Sequence, residues 1–197
     1  MTDEIFWSPK DNRVWKPVIC AVNGLCVGAG FHFVNDCDII VASETAAFMD
    51  LHVHAGIVGG IENVGLAKRL PLGTALRMTL EGRHFRLSAE RAYQLGLVDE
   101  VVPAADLLTT ANRIAEHILE GSPHAISFSL QAVWKSLDLA HRDALEYAWA
   151  LVRAHWNHPD ADEGLAALSE GRSPQWLPEH DWLQRREHGD DDSGVAE

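Results

Sequence analysis

The chain has 197 residues, 47% hydrophobic and 23% charged, enough for one sizeable core and too short for two ordinary domains joined by a linker. Its 16 basic residues stand against 29 acidic ones, a formal charge of −13, which argues against nucleic acid or an anionic membrane surface as the main partner, since both require a basic face. Cys20, Cys26 and Cys37 form neither a disulfide framework nor a CxxC pair, no run reaches the roughly eighteen apolar residues of a membrane span, and Met1-Thr2-Asp3-Glu4 lacks the basic start of a signal peptide, so a soluble, cytoplasmic protein with reduced thiols is expected.

The first fifteen residues carry turn chemistry (Ser8-Pro9-Lys10-Asp11-Asn12) and no amphipathic period. Pro17–Val22 is a continuous apolar run of strand length closed by Asn23-Gly24, the pattern of a strand covered on both faces. Gly28-Ala29-Gly30 then opens a short helix through Phe31 and Val34, Asp38–Ala42 reads as a second buried strand and Ala46–Met49 as a third extended piece. Leu66 to Leu80 has helical periods interrupted by Pro71 and Gly73, which predicts two helices. Ser88–Gly96 is a capped short helix, and Leu97–Val102 a strand stopped by Pro103. Three or four amphipathic helices fill Ala104 to Glu170, broken at Gly121-Ser122-Pro123 and Asn157-His158-Pro159. From Leu177 to Glu197 seven acids face two arginines, five of the net negative charges, and the segment reads as a solvated, disordered tail. Strands early and helices late give an α/β portion followed by a helical one.

The feature that carries chemistry is the strand, the turn and the Gly28-Ala29-Gly30 helix start. Backbone N–H groups there lack internal acceptors and sit at the positive end of the helix dipole, so the turn can hold a phosphate or stabilise an oxyanion; it can equally serve only to let the helix pack closely on its sheet. It is neither a Walker motif nor a dinucleotide fingerprint. His32 follows Ala29 by three residues and projects from the same helix face. Asp50, His52 and His54 stand at i, i+2, i+4, and on an extended chain they share one face. Imidazoles serve as acid and base near neutral pH. The three histidines could instead ligate a metal, or form a polar, solvent-facing edge.

Lys16–Gly24, Gly28-Ala29-Gly30, Asp36–Ser43, Gly56-Ile57-Val58, Arg69-Leu70-Pro71, Leu80–Arg83 and Ser88–Pro103, with Asp160–Gly164 and Trp176 beyond, together resemble the crotonase (enoyl-CoA hydratase/isomerase) superfamily in consistent order from about Trp15 to Trp176. The resemblance implies a crotonase-like spiral of ββα units, N-terminally short here, followed by a C-terminal helical region that builds trimers or hexamers. It implies an acyl-CoA thioester substrate, coenzyme A being part of that substrate and no separate cofactor or metal being required. In the family two backbone N–H groups polarise the thioester carbonyl and stabilise its enolate, and the second falls on Ala29, with Gly28, Gly30 and Asp50 beside the substrate. The family's hydratases carry glutamates at the positions of His32 and His52, so two imidazoles stand where two carboxylates would act. Glu62, in the loop after Gly56, lies near the place where related isomerases carry an acid; it can also serve as a first-turn acid on the following helix. Trp176 falls where the family often has an aromatic near the CoA adenine. His117, His124, His141, His155 and His158 read as surface or capping residues, and Trp134, Trp149 and Trp156 as packing of the helical layer or a subunit interface.

The expected organisation is an N-terminal remnant over 1–15, a spiral core over 16–103, a helical region over 104–176 and the acidic tail over 177–197. Met1–Trp15 contains nothing like the family's first oxyanion loop, so the Val18–Val22 strand is expected to present an exposed edge and the oxyanion hole one donor, Ala29. The leading function is an acyl-CoA enzyme forming a thioester enolate, with His52 as principal acid or base and His32 orienting water or a second proton. The alternatives are a non-catalytic acyl-CoA-binding relative and a metal-dependent hydrolase using His32, His52 and His54.

Overall fold

Two runs of branched apolar residues build the first sheet of the computed structural model, which describes residues 7–178. Strand β1 (Ile19–Val22) pairs in parallel with β3 (Ile39–Ser43), and β3 pairs in parallel with β6 (Glu100–Val102), giving the order β1-β3-β6. The central position of β3 explains its unbroken apolar run: Ile40, Val41 and Ala42 are fully buried. Acids fix the ends of this sheet, since the Asp38 carboxylate accepts the Val18 N–H at 2.7 Å and Asp99 accepts the Ile40 N–H at 2.7 Å. β1 is an edge strand of its sheet, with Ile19, Cys20 and Ala21 half-buried.

A second sheet differs from the sequence expectation. Leu25–Val27, read as part of a turn, forms strand β2, which pairs in parallel with β4 (Ala47–Met49); β4 pairs antiparallel with β5 (Leu87–Ser88). Three residues between Asn23-Gly24 and Gly28 are too few to show a strand period, yet their backbone completes a ladder. Between and around these strands lie α1 (Gly30–Asp36), α2 (Ile61–Arg69), α3 (Leu72–Glu81) and α4 (Ala89–Gln94), and α5 (Leu107–Leu119) follows β6 in the chain. Pro71 separates α2 from α3, and the Ser88 side chain caps α4 by accepting the Arg91 N–H at 3.2 Å. Phe31, Phe48, Ile40, Leu66, Met78, Leu87 and Leu97 fill the core. Cys26 and Cys37 are buried free thiols, Cys20 is half-buried, and burial pushes Cys26 up to about 12, out of reach of thiolate chemistry at neutral pH.

The chain divides into two compact units, Met1–Glu116 and His117–Glu197. In the second, α6 (Pro123–Lys135), α7 (His141–His155) and α8 (Pro159–Glu170) follow the predicted breaks. The Ser122 hydroxyl caps α6 and donates to Asp160 Oδ2 at 2.5 Å, while His158 Nδ1 caps α8 by accepting the Asp160 N–H at 3.2 Å. His158 is thus a capping residue, as expected, though a buried one, and His124 is buried too: the ring centroids of His124 and His155 lie 4.5 and 4.7 Å from that of His158. Trp149 and Trp156 meet edge to face at 6.3 Å and stay more than half exposed. The acidic-tail expectation lies outside the described residues from position 179 onward, as does the N-terminal remnant over 1–6.

Burial first, and then the neighbouring His124 and His155, lower His158 to about 4, outweighing the attraction of Asp160. A group whose folded pKa lies below its ordinary 6.5 binds more protons when unfolded, so its contribution to stability is complete above pH 6.5 and is lost as pH falls toward 4. The unfolding free energy of wild type is therefore expected to drop on acidification through this window more steeply than that of His158→Asn, which keeps a capping side chain without the titration. Equal slopes for the two proteins would contradict this origin.

Candidate active site

The Gly28-Ala29-Gly30 turn joins β2 to α1. Gly28 has φ +52°, a left-handed conformation that a side chain disfavours, and it folds the chain so that Ala29 caps the helix. The Phe31 N–H bonds the Gly28 carbonyl at 2.9 Å and the His32 N–H bonds the Ala29 carbonyl at 3.2 Å. The Ala29 N–H precedes these bonds and has no partner among the described residues. One turn on, α1 carries His32, buried, with Trp7 edge-on to its ring at 4.9 Å. Residues 8–10 hold this N-terminal segment in place: Ser8 Oγ donates to Asp36 Oδ2 at 2.7 Å and Lys10 donates to the Asp36 carbonyl.

After β4 the chain does not stay extended. His52–Ala55 is a turn of 3₁₀-helix, and at three residues per turn His52 and His54 leave on different sides. His54 Nδ1 accepts the Arg83 N–H at 3.4 Å and its ring lies 5.3 Å from that of His84. His54 is thus separated from His32 and His52, which removes the shared metal site of the sequence analysis. Among the described residues no group of three or more His, Cys, Asp or Glu is arranged to hold a metal ion.

Glu62 is the residue that gathers the site. It sits in the first turn of α2, where the helix dipole favours a carboxylate. Its Oε1 lies 3.1 Å from His32 Nε2 and 3.5 Å from His52 Nε2. The three side chains are 5–15% exposed, a group screened from bulk water yet not sealed. A carboxylate oxygen only accepts, so the contact with His32 is a donation from the imidazole Nε2–H.

Asp50 lies behind His52, fully buried, and both of its oxygens are engaged. Oδ1 accepts the His52 N–H at 3.0 Å and stands 2.5 Å from His52 Nδ1; Oδ2 accepts from Asn63 Nδ2 at 3.0 Å. Burial alone would raise the Asp50 carboxyl, but the bonds from the His52 backbone, Asn63 and the His52 ring outweigh it and hold it below the ordinary carboxylate range. Asp50 is therefore enclosed behind His52, with both carboxylate oxygens engaged by protein groups. Asn63 also donates to Thr79 Oγ1 at 2.9 Å, and Thr79 donates to the Ala75 carbonyl at 2.9 Å, tying α2 to α3.

Trp7, Asn35, Asn63 and Thr79 join the site without belonging to any motif of the sequence. Asn35 had a signal: it follows His32 by three residues on one helix face, and its Nδ2 donates to the Glu62 carbonyl at 2.8 Å. Trp176 belongs to the second unit, where its indole N–H donates to the Glu120 carbonyl at 2.8 Å and its ring lies over Gly164. With Leu119, Leu168 and Arg172 it lines a cavity of about 550 Å³.

The sequence profile of the enoyl-CoA hydratase/isomerase family matches residues 10–179, and the chain belongs to that family. A probable mitochondrial enoyl-CoA hydratase of Dictyostelium discoideum is 32% identical over 165 residues, which cover 83% of this chain and 59% of the relative. A mevalonyl-coenzyme A hydratase of Aspergillus fumigatus is 36% identical over 169 residues, covering 83% and 61%. The crystal structure of an enoyl-CoA hydratase/isomerase from Mycobacterium paratuberculosis superposes with a TM-score of 0.80 at 42% identity, over 83% of this chain and 64% of that one. The fold is the crotonase α/β fold with C-terminal helices, and the chain spans about three fifths of the length of these curated relatives. No helix among the described residues is long and apolar enough to cross a membrane.

Proposed function

We propose that the protein acts on acyl-CoA thioesters through an enolate, with His52, His32 and Glu62 performing the proton transfers. The observation that carries this reading is Glu62 placed between two imidazoles, which the resemblance puts where the family's hydratases have glutamates. The thioester oxygen takes the Ala29 N–H, preorganised at the start of α1, with Gly28 and Gly30 leaving the backbone open to close approach. His52 removes a proton from the α carbon, and the electron pair left behind enters the thioester as an enolate. In the opposite direction the protonated ring returns the proton. His32 and Glu62 orient water or carry the second proton. The names of the Aspergillus relative and of a carnitinyl-CoA dehydratase from Salmonella typhi (33% identical) denote addition and removal of water on CoA thioesters, which favours that reaction class here.

Trp176 is a contact for the CoA moiety in this reading, and the protein works in the cytoplasm as a homotrimer or hexamer. Trp149, Trp156, Leu165 and Leu168, exposed in the second unit, suit burial between subunits. A panel of acyl-CoA thioesters with mass-spectrometric detection of products tests the function. Turnover of at least one thioester is expected, with His52→Ala lowering it at least about a hundredfold, the scale of acid–base catalysis. Unchanged turnover would remove His52 from the mechanism. Calorimetric binding without turnover of any thioester would favour an acyl-CoA binder in place of an enzyme.

A further inference from the structure

We infer that Asp50, held by Asn63, is a positioning residue that fixes His52 in its Nδ1–H tautomer and so makes Nε2, the nitrogen nearest Glu62, the site of proton uptake. The inference rests on the proposed acyl-CoA function for its chemical meaning, but not for its geometry.

Neutral imidazole carries one hydrogen, on either nitrogen, and the bond made by one nitrogen sets the state of the other. Asp50 Oδ1 stands 2.5 Å from His52 Nδ1 and also accepts the His52 backbone N–H, while Oδ2 takes the Asn63 amide. The His52 backbone N–H and the Asn63 amide both donate to this fully buried carboxyl, and such bonds hold it below the ordinary carboxylate range; ionised, it can only accept. His52 Nδ1 must therefore hold the hydrogen, and the lone pair of the neutral ring falls on Nε2. That atom lies 3.5 Å from Glu62 Oε1, while Glu62 is already bonded by His32 Nε2 at 3.1 Å. Nε2 is then free to receive a proton, and no acceptor nearer than Glu62 competes for it among the described residues.

The step balances. The substrate Cα–H bond breaks, the proton forms a bond to Nε2 and the electron pair remains on the thioester as its enolate. The resulting imidazolium lies between two carboxylates, Asp50 at Nδ1 and Glu62 at Nε2, with His32 donating to Glu62 from the far side. Replacing Asp50 by Asn frustrates this arrangement whichever way the amide turns. One face must accept from Asn63 and the other from His52, and an amide presents donors on one of them.

The test is long-range proton–nitrogen NMR of the 197-residue chain labelled with ¹⁵N-histidine, recorded with the imidazoles neutral and assigned with His52→Gln. Wild type is expected to show the proton on Nδ1 and an unprotonated Nε2. Asp50→Asn is expected to move His52 toward the Nε2–H tautomer and to lower turnover about a hundredfold with KM little changed, Asp50→Glu recovering part of the loss. A role confined to stability would reduce the amount of folded Asp50→Asn without changing the tautomer in the folded fraction. An Nε2–H tautomer in wild type overturns the inference whatever the activity, and needs no variant to fold. A wild-type Nδ1–H tautomer with no turnover of any thioester upholds the positioning and overturns the acyl-CoA reading instead.

Discussion

Glu62→Gln is expected to lower thioester turnover by at least about a hundredfold while leaving the fold intact. The amide keeps an oxygen able to accept from His32 Nε2, now at 3.1 Å, so local packing survives. In the proposed reaction the substitution removes the negative charge that a His52 imidazolium would face, and a carboxylate that would carry the second proton. It also removes a first-turn acid from α2, a loss of at most about 1 kcal/mol. The effect should therefore fall on the chemical step, with the thermal midpoint little changed. A variant that turns over normally would reduce Glu62 to a helix-capping charge, the competing role the sequence left open.

The second large effect concerns how the site is assembled. His32 and Glu62 are thirty residues apart and meet because α1 and α2 pack together at Gly65, where a side chain has no space. A Cβ there would come within 2.6 Å of Asn35 Cγ and 2.8 Å of its Cβ. Asn35 cannot give way, because its amide holds the Glu62 carbonyl at 2.8 Å and its own carbonyl accepts from Arg69 Nε at 2.7 Å. Arg69 also donates to the Cys37 carbonyl, so the two helices are pinned at both ends of the contact. Gly65→Val is expected to cost about 3 kcal/mol, the upper range for overpacking, and to separate His32 from Glu62. Gly73→Ala, in α3 with nothing near its added carbon, is the control and should gain up to about 1 kcal/mol. Denaturant midpoints that move together in the two variants would contradict close packing at Gly65.

These two positions also mark what the sequence makes legible. The apolar runs at Val18–Val22 and Ile39–Ala42 name the strands of a covered sheet, and Pro71, Ser88, Ser122-Pro123 and His158-Pro159 mark helix limits through local chemistry. Local signals suffice there because caps and proline act within one turn. The alternation of Asp50, His52 and His54 misleads, since a 3₁₀ turn replaces the extended chain and divides the histidines. The pairing of His32 with Glu62 has no local signal at all. It follows from a helix crossing that only the close approach at Gly65 permits, and the seat of Trp7 against His32 has the same long-range origin. His124 and His158 become buried because α6 and the start of α8 share Asp160 through Ser122 and His158.

The central claim, that this site forms a thioester enolate, is tested most directly by hydrogen exchange at the α carbon. Saturated acyl-CoA thioesters incubated with the protein in D₂O are expected to take up deuterium at Cα, seen by mass spectrometry, and to do so far more slowly with Glu62→Gln or His52→Ala. Absence of exchange in thioesters that demonstrably bind, or exchange undiminished in both variants, would contradict it.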